Sequence, residues 1–406
     1  MSNTSWLDGV RVLDFTQYLA GPACTRMLAE LGAEVIKVEQ PPYGDPNRGN
    51  RPRTNRRAGA HVQQNRLKKS LCVDLGTDDG VALVKELVPL CDIVVENFSK
   101  GVLDRRGLSY ADLKELREDI IVASITGFGH TGPLAEKPGF EFIAQAATGV
   151  MHLTGEPDGP PMFTGIGMAD TNAGVHAWGA LGHALFRRER TGLGTHLDIS
   201  LADCLFQMHE MAVHSESMTK GRHGAIRNGR HYATISPAGT FGGPQDWIVV
   251  FCAENQISNL FNAMGRPELI EDERFKGNPA RVAHRDDLTA LIEEWMATFE
   301  TDRAVLDVLE AERVPCGPVL SVWDAMHYPH FVERGTIRTV ADPLAGDIAV
   351  PGFPIRTIDP CDLPPVDGVA PALGEHNREV VESILGHRAG TVDRLVESGA
   401  MGEKDR

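Results

Sequence analysis

Apolar residues in the first 130 positions fall into short dense runs separated by amphipathic stretches. The runs are VRVLDF (10–15), EVIKVEQ (34–40), SLCVDL (70–75), DIVVENF (92–98) and IIVASIT (120–126). They are too short for helices and apolar enough to be strands covered on both faces. Between them, ACTRMLAELGA (23–33, stopped by Gly32), DDGVALVKELVPL (78–90) and SYADLKELR (109–117) carry helical spacing, with Ser109 as an N-cap. Strand and helix in alternation predict an α/β fold around a doubly wound parallel sheet. Such a sheet binds ligands outside the carboxyl ends of its strands, here the segments starting at Phe15, Gln40, Asn97 and Gly127. Residues 41–66, rich in Pro, Gly, Asn and Arg, read as a long surface loop of the kind that is often functional.

Further along, DTNAGVHAWGALGHALFRR (170–188) predicts a long helix rich in small residues, with His183 as a core histidine on it. THLDISL (195–201) predicts a strand, and ADCLFQMHEMAVHSESM (202–218) a helix. Composition shifts to Gly, Arg and His near 220–230, as in a linker. Beyond it lie a strand at 247–253 and helices near 255–264, 284–299 and 302–312, the pattern of a smaller α/β domain. IRTVAD (337–342) and NREVVESIL (377–385) then read as a return to the first domain. The expected division is a large domain over 1–220, a small one over 231–325, and a segment 330–406 that rejoins the large domain.

A balance of 40 basic against 56 acidic residues, net −16, argues against binding to nucleic acid or to an anionic membrane surface. Seven cysteines, with no Cys-x-x-Cys, suggest free thiols in a reducing compartment. The opening MSNTSWLDGVRVLDF lacks the basic and apolar regions of a secretory leader, and no run of 18 apolar residues occurs. A cytoplasmic enzyme is expected.

GFGHTG (127–132) fits Gly-x-Gly-x-x-Gly after a strand, but Pro138 and Gly139 would end any following helix within a turn. A dinucleotide fingerprint needs that helix. A substrate-facing glycine loop is the better reading. No phosphate-binding Gly-x-x-x-x-Gly-Lys-Ser/Thr, no Gly-x-Ser-x-Gly and no His-Glu-x-x-His is present, so no metal is expected. NRLKKS (65–70) places Arg66, Lys68 and Lys69 before a strand, and Arg105 lies in ENFSKGVLDRRG. These are either solvated charges or donors for the phosphates of an anionic cofactor tail. GIGMADTNAGVHA (165–177) sets Asp170 between glycines and the long helix. One reading makes Asp170 the helix cap, accepting a backbone N–H near Asn172 or Ala173. The other makes it a nucleophile that attacks a carbonyl, with the helix dipole keeping it ionised. The two are compatible.

Taken in order, LDGVRVLDFTQYLAGPACTRMLAELGAEVIKVEQPPYGD, NRLKKSLCVDL, VVENFSKGVLDRRG, ITGFGHTGP, GIGMADTNAGVHA, GLGTHLDISLADC, VPCGPVLSV and LGEHNREVV resemble the family III CoA-transferases over nearly the whole chain. The resemblance implies a Rossmann-like large domain built from both chain ends, an inserted smaller domain, and a homodimer interlocked like chain links. It implies acyl-CoA and a small carboxylic acid as substrates, with no permanently bound cofactor. Asp170 would be the nucleophile, working through aspartyl anhydride and aspartyl-CoA thioester intermediates. Gln17, Ala20, Lys68, Lys69, Asn97, Phe98, Arg105 and Lys137 would contact CoA. Gly242 and Gly243 in FGGPQD would shield the anhydride. The α-methylacyl-CoA racemases share the pattern but pair the acid with a His–Asp pair. Phe140 stands where that histidine would be, leaving Glu141 or His130 as a second proton carrier. A noncatalytic CoA-binding protein is a third reading.

Overall fold

The computed structural model describes residues 5–222, 224–358 and 368–403; Cys361 lies outside them. The chain divides into two compact units, one of Met1–Val150, Phe163–Ser217 and Glu333–Arg406, the other of Met151–Met162 and Met218–Val332. Residues 151–162, grouped by the sequence pattern with the first 220, cluster with the second unit.

The first unit is built on six strands: β1 (Arg11–Asp14), β2 (Glu34–Glu39), β3 (Lys69–Cys72), β4 (Ile93–Glu96), β5 (Ile121–Thr126) and β6 (Thr195–Ser200). They lie in the order β3-β2-β1-β4-β5-β6, and every pair is parallel. Neighbours on β1 show why the runs are apolar throughout. Val12 enters a core on one face and Leu13 a second core on the other, and both are fully buried. The first core is covered by helix α1 (Ala20–Glu30), and the second by α2 (Asp78–Leu87) and α3 (Tyr110–Leu116). Ser109 caps α3 in a reciprocal capping box with Asp112. The C-terminal segment packs into the second core through Val380, Val381, Val392 and Met401.

Several expectations need correcting. LAGP starts α1 rather than breaking the chain, because Pro22 falls in the first turn, where its missing N–H costs nothing. The 41–66 segment is no simple surface loop. Asp45, Asn47, Arg57, His61 and Asn65 are buried, and it contains a helix over Gly59–Asn65. The stretch 202–218 breaks into Leu201–Phe206 and Ala212–Thr219. His183 is exposed and bonds to the Gly179 carbonyl oxygen.

The second unit has an antiparallel three-stranded sheet of Ala238–Gly242, Trp247–Phe251 and Cys316–Pro318, with Trp247–Phe251 central. Along that strand, burial alternates residue by residue. Ile248 and Val250 join Phe241, Phe261, Leu288 and Leu309 in the core.

Candidate active site

β1 and β4 are neighbours, and the chain leaves them in opposite directions along the sheet. This is the switch point where the loops diverge and open a crevice. A cavity of about 410 Å³ fills it, lined by residues 17–20, 97–100, 102, 125–128, 135–140, 170 and 201.

Asp170 reaches this cavity from helix α4 (Met168–Thr191). The helix begins two residues before Asp170, and the residue ahead of it, Gly167, has no side chain to cap it. The capping is done by Glu141: its Oε2 accepts the Asp170 N–H at 2.8 Å and its Oε1 the Ala169 N–H at 3.0 Å. Gln145 donates to Glu141 Oε1 at 2.6 Å and so fixes its rotamer. The capping role assigned to Asp170 therefore belongs to Glu141, which sequence reasoning saw only as a stand-in base. Among the described residues no donor pairs with the Asp170 carboxylate. Burial, and secondly the Glu141 charge, raise its pKa from 3.8 to about 6. The helix dipole does not hold it at an ordinary value, yet at pH 7 about nine-tenths of it is still ionised.

Small residues explain how the aspartate is held. A Cβ on Gly174 would lie 2.6 Å from the Ala20 carbonyl oxygen, so α4 crosses α1 backbone against backbone. The glycine loop has a similar explanation. A Cβ on Gly127 would sit 2.4 Å from the Gly139 Cα, so the two ends of the loop touch only because both residues are glycine. Gly129 and Gly132 have φ of 80° and 87°. The motif thus shapes a wall of the cavity.

Of the other residues expected at the site, Gln17, Ala20, Asn97, Phe98 and Lys137 line this cavity. Asn97 clamps Gln17, accepting its N–H and donating to its carbonyl oxygen, both at 2.8 Å. Glu96, one residue earlier, was not foreseen. It is buried, accepts the Phe98 N–H at 2.9 Å, and burial raises its pKa to about 7. Arg105 lies elsewhere in the unit. With Lys85 and Arg106 it lines a second cavity of about 380 Å³ beside the start of α2. None of these three cations has an ion-pair partner among the described residues.

Lys68 and Lys69 do not present free charges. Lys68 is buried and pairs with Asp14 at 3.0 Å, and it also donates to Thr25 Oγ1 and Asn65 Oδ1. Burial lowers its ammonium to about 8, against the pull of Asp14. Lys69 pairs with Glu34 and Glu379. Arg66 likewise pairs with Glu30 inside the fold. The basic run looked exposed because sequence alone hides the carboxylates that meet it. Gly242 and Gly243 lie in the second unit. The Gly242 N–H donates to Glu293 Oε1 at 2.8 Å, and the Gly243 N–H to the Asp246 carbonyl oxygen at 2.7 Å.

The parallel α/β sheet thus carries a half-buried, unpaired carboxylate in its switch-point crevice. Residues 7–377 match the model of CoA-transferase family III, and the chain belongs to that family. It is 34% identical over 405 residues to the succinyl-CoA:glutarate CoA-transferase of Mus musculus, spanning 97% of this chain and 90% of that one. It is 37% identical over 386 residues to the succinyl-CoA–D-citramalate CoA-transferase of Chloroflexus aurantiacus, spanning 94% of each. Among solved structures, a CAIB/BAIF family protein from Brucella suis matches with a TM-score of 0.82 and 36% identity, covering 94% of this chain and all of that one. The chain is a CoA-transferase. Among the described residues no helix is long and apolar enough to cross a membrane.

Proposed function

We propose that the enzyme moves CoA from an acyl-CoA donor to a free carboxylic acid, with Asp170 as the nucleophile. An Asp170 oxygen attacks the thioester carbonyl, the C–S bond breaks, and CoA leaves as the thiolate. The thiolate attacks the Asp170 carbonyl of the resulting anhydride, releasing the donor acid and leaving an aspartyl-CoA thioester. The acceptor carboxylate attacks that thioester and displaces the thiolate, which then takes the acyl group from the second anhydride and frees Asp170. Each step exchanges one activated acyl bond for another, so no outside energy source is consumed. The supporting observation is that Glu141 caps the helix, leaving both Asp170 oxygens unpaired beside the cavity.

Gln17, Ala20, Asn97, Phe98 and Lys137 are assigned to the pantetheine and reacting end of CoA. Arg105, with Lys85 and Arg106, is assigned to its phosphates. Lys68 and Lys69 are reassigned to the scaffold. Gly242 and Gly243, whose N–H groups are donated to Glu293 and Asp246 within the second unit, are assigned no oxyanion-donor role. Short dicarboxylates are the acceptors of choice, as in the names of the murine and Chloroflexus relatives. An interlocked homodimer is supported by exposed apolar side chains such as Phe142, Phe163, Phe186 and Phe206. Proton exchange at the α-carbon is disfavoured. Phe140 lines the cavity, whereas the His130 Nε2 is buried beside His196, in a small cavity with Glu96 and Ser124.

The test offers succinyl-CoA with a panel of dicarboxylates to wild type and to Asp170→Ala. Transfer by wild type and its loss in the variant are expected. Undiminished transfer by Asp170→Ala overturns the assignment, as does deuterium uptake into a 2-methylacyl-CoA without any acceptor.

A further inference from the structure

The turn from β1 to α1 forms one wall of the cavity, and its backbone is held in an unusual way. Residues 16–18 expose three N–H and three carbonyl groups to no ladder, and a side chain meets every one of the six. The Thr16 N–H donates to Asp14 Oδ1 at 2.8 Å, and the Thr16 carbonyl oxygen accepts from the Lys37 ammonium. Asn97 takes both groups of Gln17. The Tyr18 N–H donates to Asp45 Oδ1 at 3.1 Å, and the Tyr18 carbonyl oxygen accepts from the Asn47 amide.

This turn would not hold its shape alone. Tyr18 has φ of 64°, the left-handed region, which an L side chain occupies at a cost. Burial of its own side chain supplies little of the compensation, since Tyr18 is 45% exposed. The compensation comes from behind. Asp45 and Asn47 are buried at 3% and 5% exposure, and the Asp45 carboxylate pairs with the fully buried Lys37 at 3.0 Å. Asp45 Oδ1 also accepts the Asn47 N–H at 3.0 Å, so the two clamping residues are fixed to each other.

We infer that Asp45 and Asn47, backed by Lys37, are positioning residues that lock Tyr18 in the left-handed conformation and thereby set Gln17 and Ala20 against the CoA chain. The inference rests on the CoA-transferase reading above. It gives the buried part of the 41–66 segment a role in CoA affinity, although none of these three residues lines the cavity.

A double-mutant cycle tests it. Asn47→Ala, Tyr18→Gly and the double variant are compared by CoA affinity, by steady-state transfer from succinyl-CoA, and by hydrogen exchange in the peptide spanning 15–20. Asn47→Ala should raise the CoA Kd and the donor KM about tenfold, the size of one left-handed backbone cost. Its kcat should stay within about twofold, and exchange in the turn should speed up by a similar tenfold. In the Tyr18→Gly background the same substitution should cost less than about threefold, because glycine adopts this φ freely. Asn47→Asp retains an acceptor but loses the amide donor to Tyr18, and should behave like Asn47→Ala. Equal cost in both backgrounds, or unchanged affinity and exchange in Asn47→Ala, overturns the inference while leaving the functional reading intact. Absence of CoA binding by wild type defeats the functional reading and the inference together.

Discussion

Asp170→Asn should make the protein more stable at neutral pH while abolishing transfer. The wild-type carboxyl sits near 3.8 in the unfolded chain and is raised to about 6 in the fold, first by burial and then by the Glu141 charge. A folded-state value above the unfolded one means the native protein holds this proton more tightly. The stabilisation is therefore present below about pH 4 and lost as pH rises through 6. Linkage puts the loss at roughly 3 kcal/mol at pH 7.5 and about 0.6 kcal/mol at pH 4. Asparagine keeps the shape without the charge, so the variant should recover up to about 3 kcal/mol at the higher pH and little at the lower. Urea denaturation of both proteins from pH 4 to 8 measures the difference, and titrating groups that do not interact with Asp170 cancel in it. A stability difference that does not change with pH would refute the burial argument. So would a variant less stable than wild type at pH 7.5.

Lys68→Met should destabilise the fold by about 3–5 kcal/mol, because it leaves Asp14 charged and unpaired in the interior; CoA affinity of the folded fraction, measured by titration, should not show the loss of a phosphate contact. Gly139→Ala should cost at least about 2 kcal/mol and most of the activity, since its Cβ would lie 2.6 Å from the Gly127 Cα; denaturant midpoints and turnover read both effects. Arg105→Ala should weaken CoA binding about tenfold at low salt and less at high salt. Binding of an acyl-pantetheine, which lacks the anionic tail, should be unaffected by Arg105→Ala.

The parallel sheet was legible because strands covered on both faces must be apolar at nearly every position, as in IIVASIT, five of whose positions lie in β5 and are fully enclosed. Helices with their own caps were equally legible: Ser109 and Asp112 announce α3 within four residues. Ends were harder. The helix carrying Asp170 starts at Met168, because its cap comes from Glu141, 29 positions away. Position in the crevice was legible for Gln17, Asn97 and Asp170, each just beyond a strand or at a helix start. The fate of charges was not. Lys68 and Arg105 look alike in sequence, yet one is enclosed with Asp14 and the other stands unpaired. Only the fold decides which carboxylates come within reach. The buried clamp on residues 16–18 was invisible for the same reason, as it joins Asp14 and Lys37 on two strands with Asp45, Asn47 and Asn97 on the segments that follow β2 and β4.

The proposed mechanism requires that Asp170 become covalently acylated. Wild-type enzyme is incubated with succinyl-CoA, quenched with hydroxylamine and digested, and the peptide containing residues 168–187 is sequenced by mass spectrometry. A hydroxamate on Asp170, absent without the donor, is expected. An unmodified Asp170 in enzyme that is actively transferring CoA, or a hydroxamate on Glu141 instead, would contradict it.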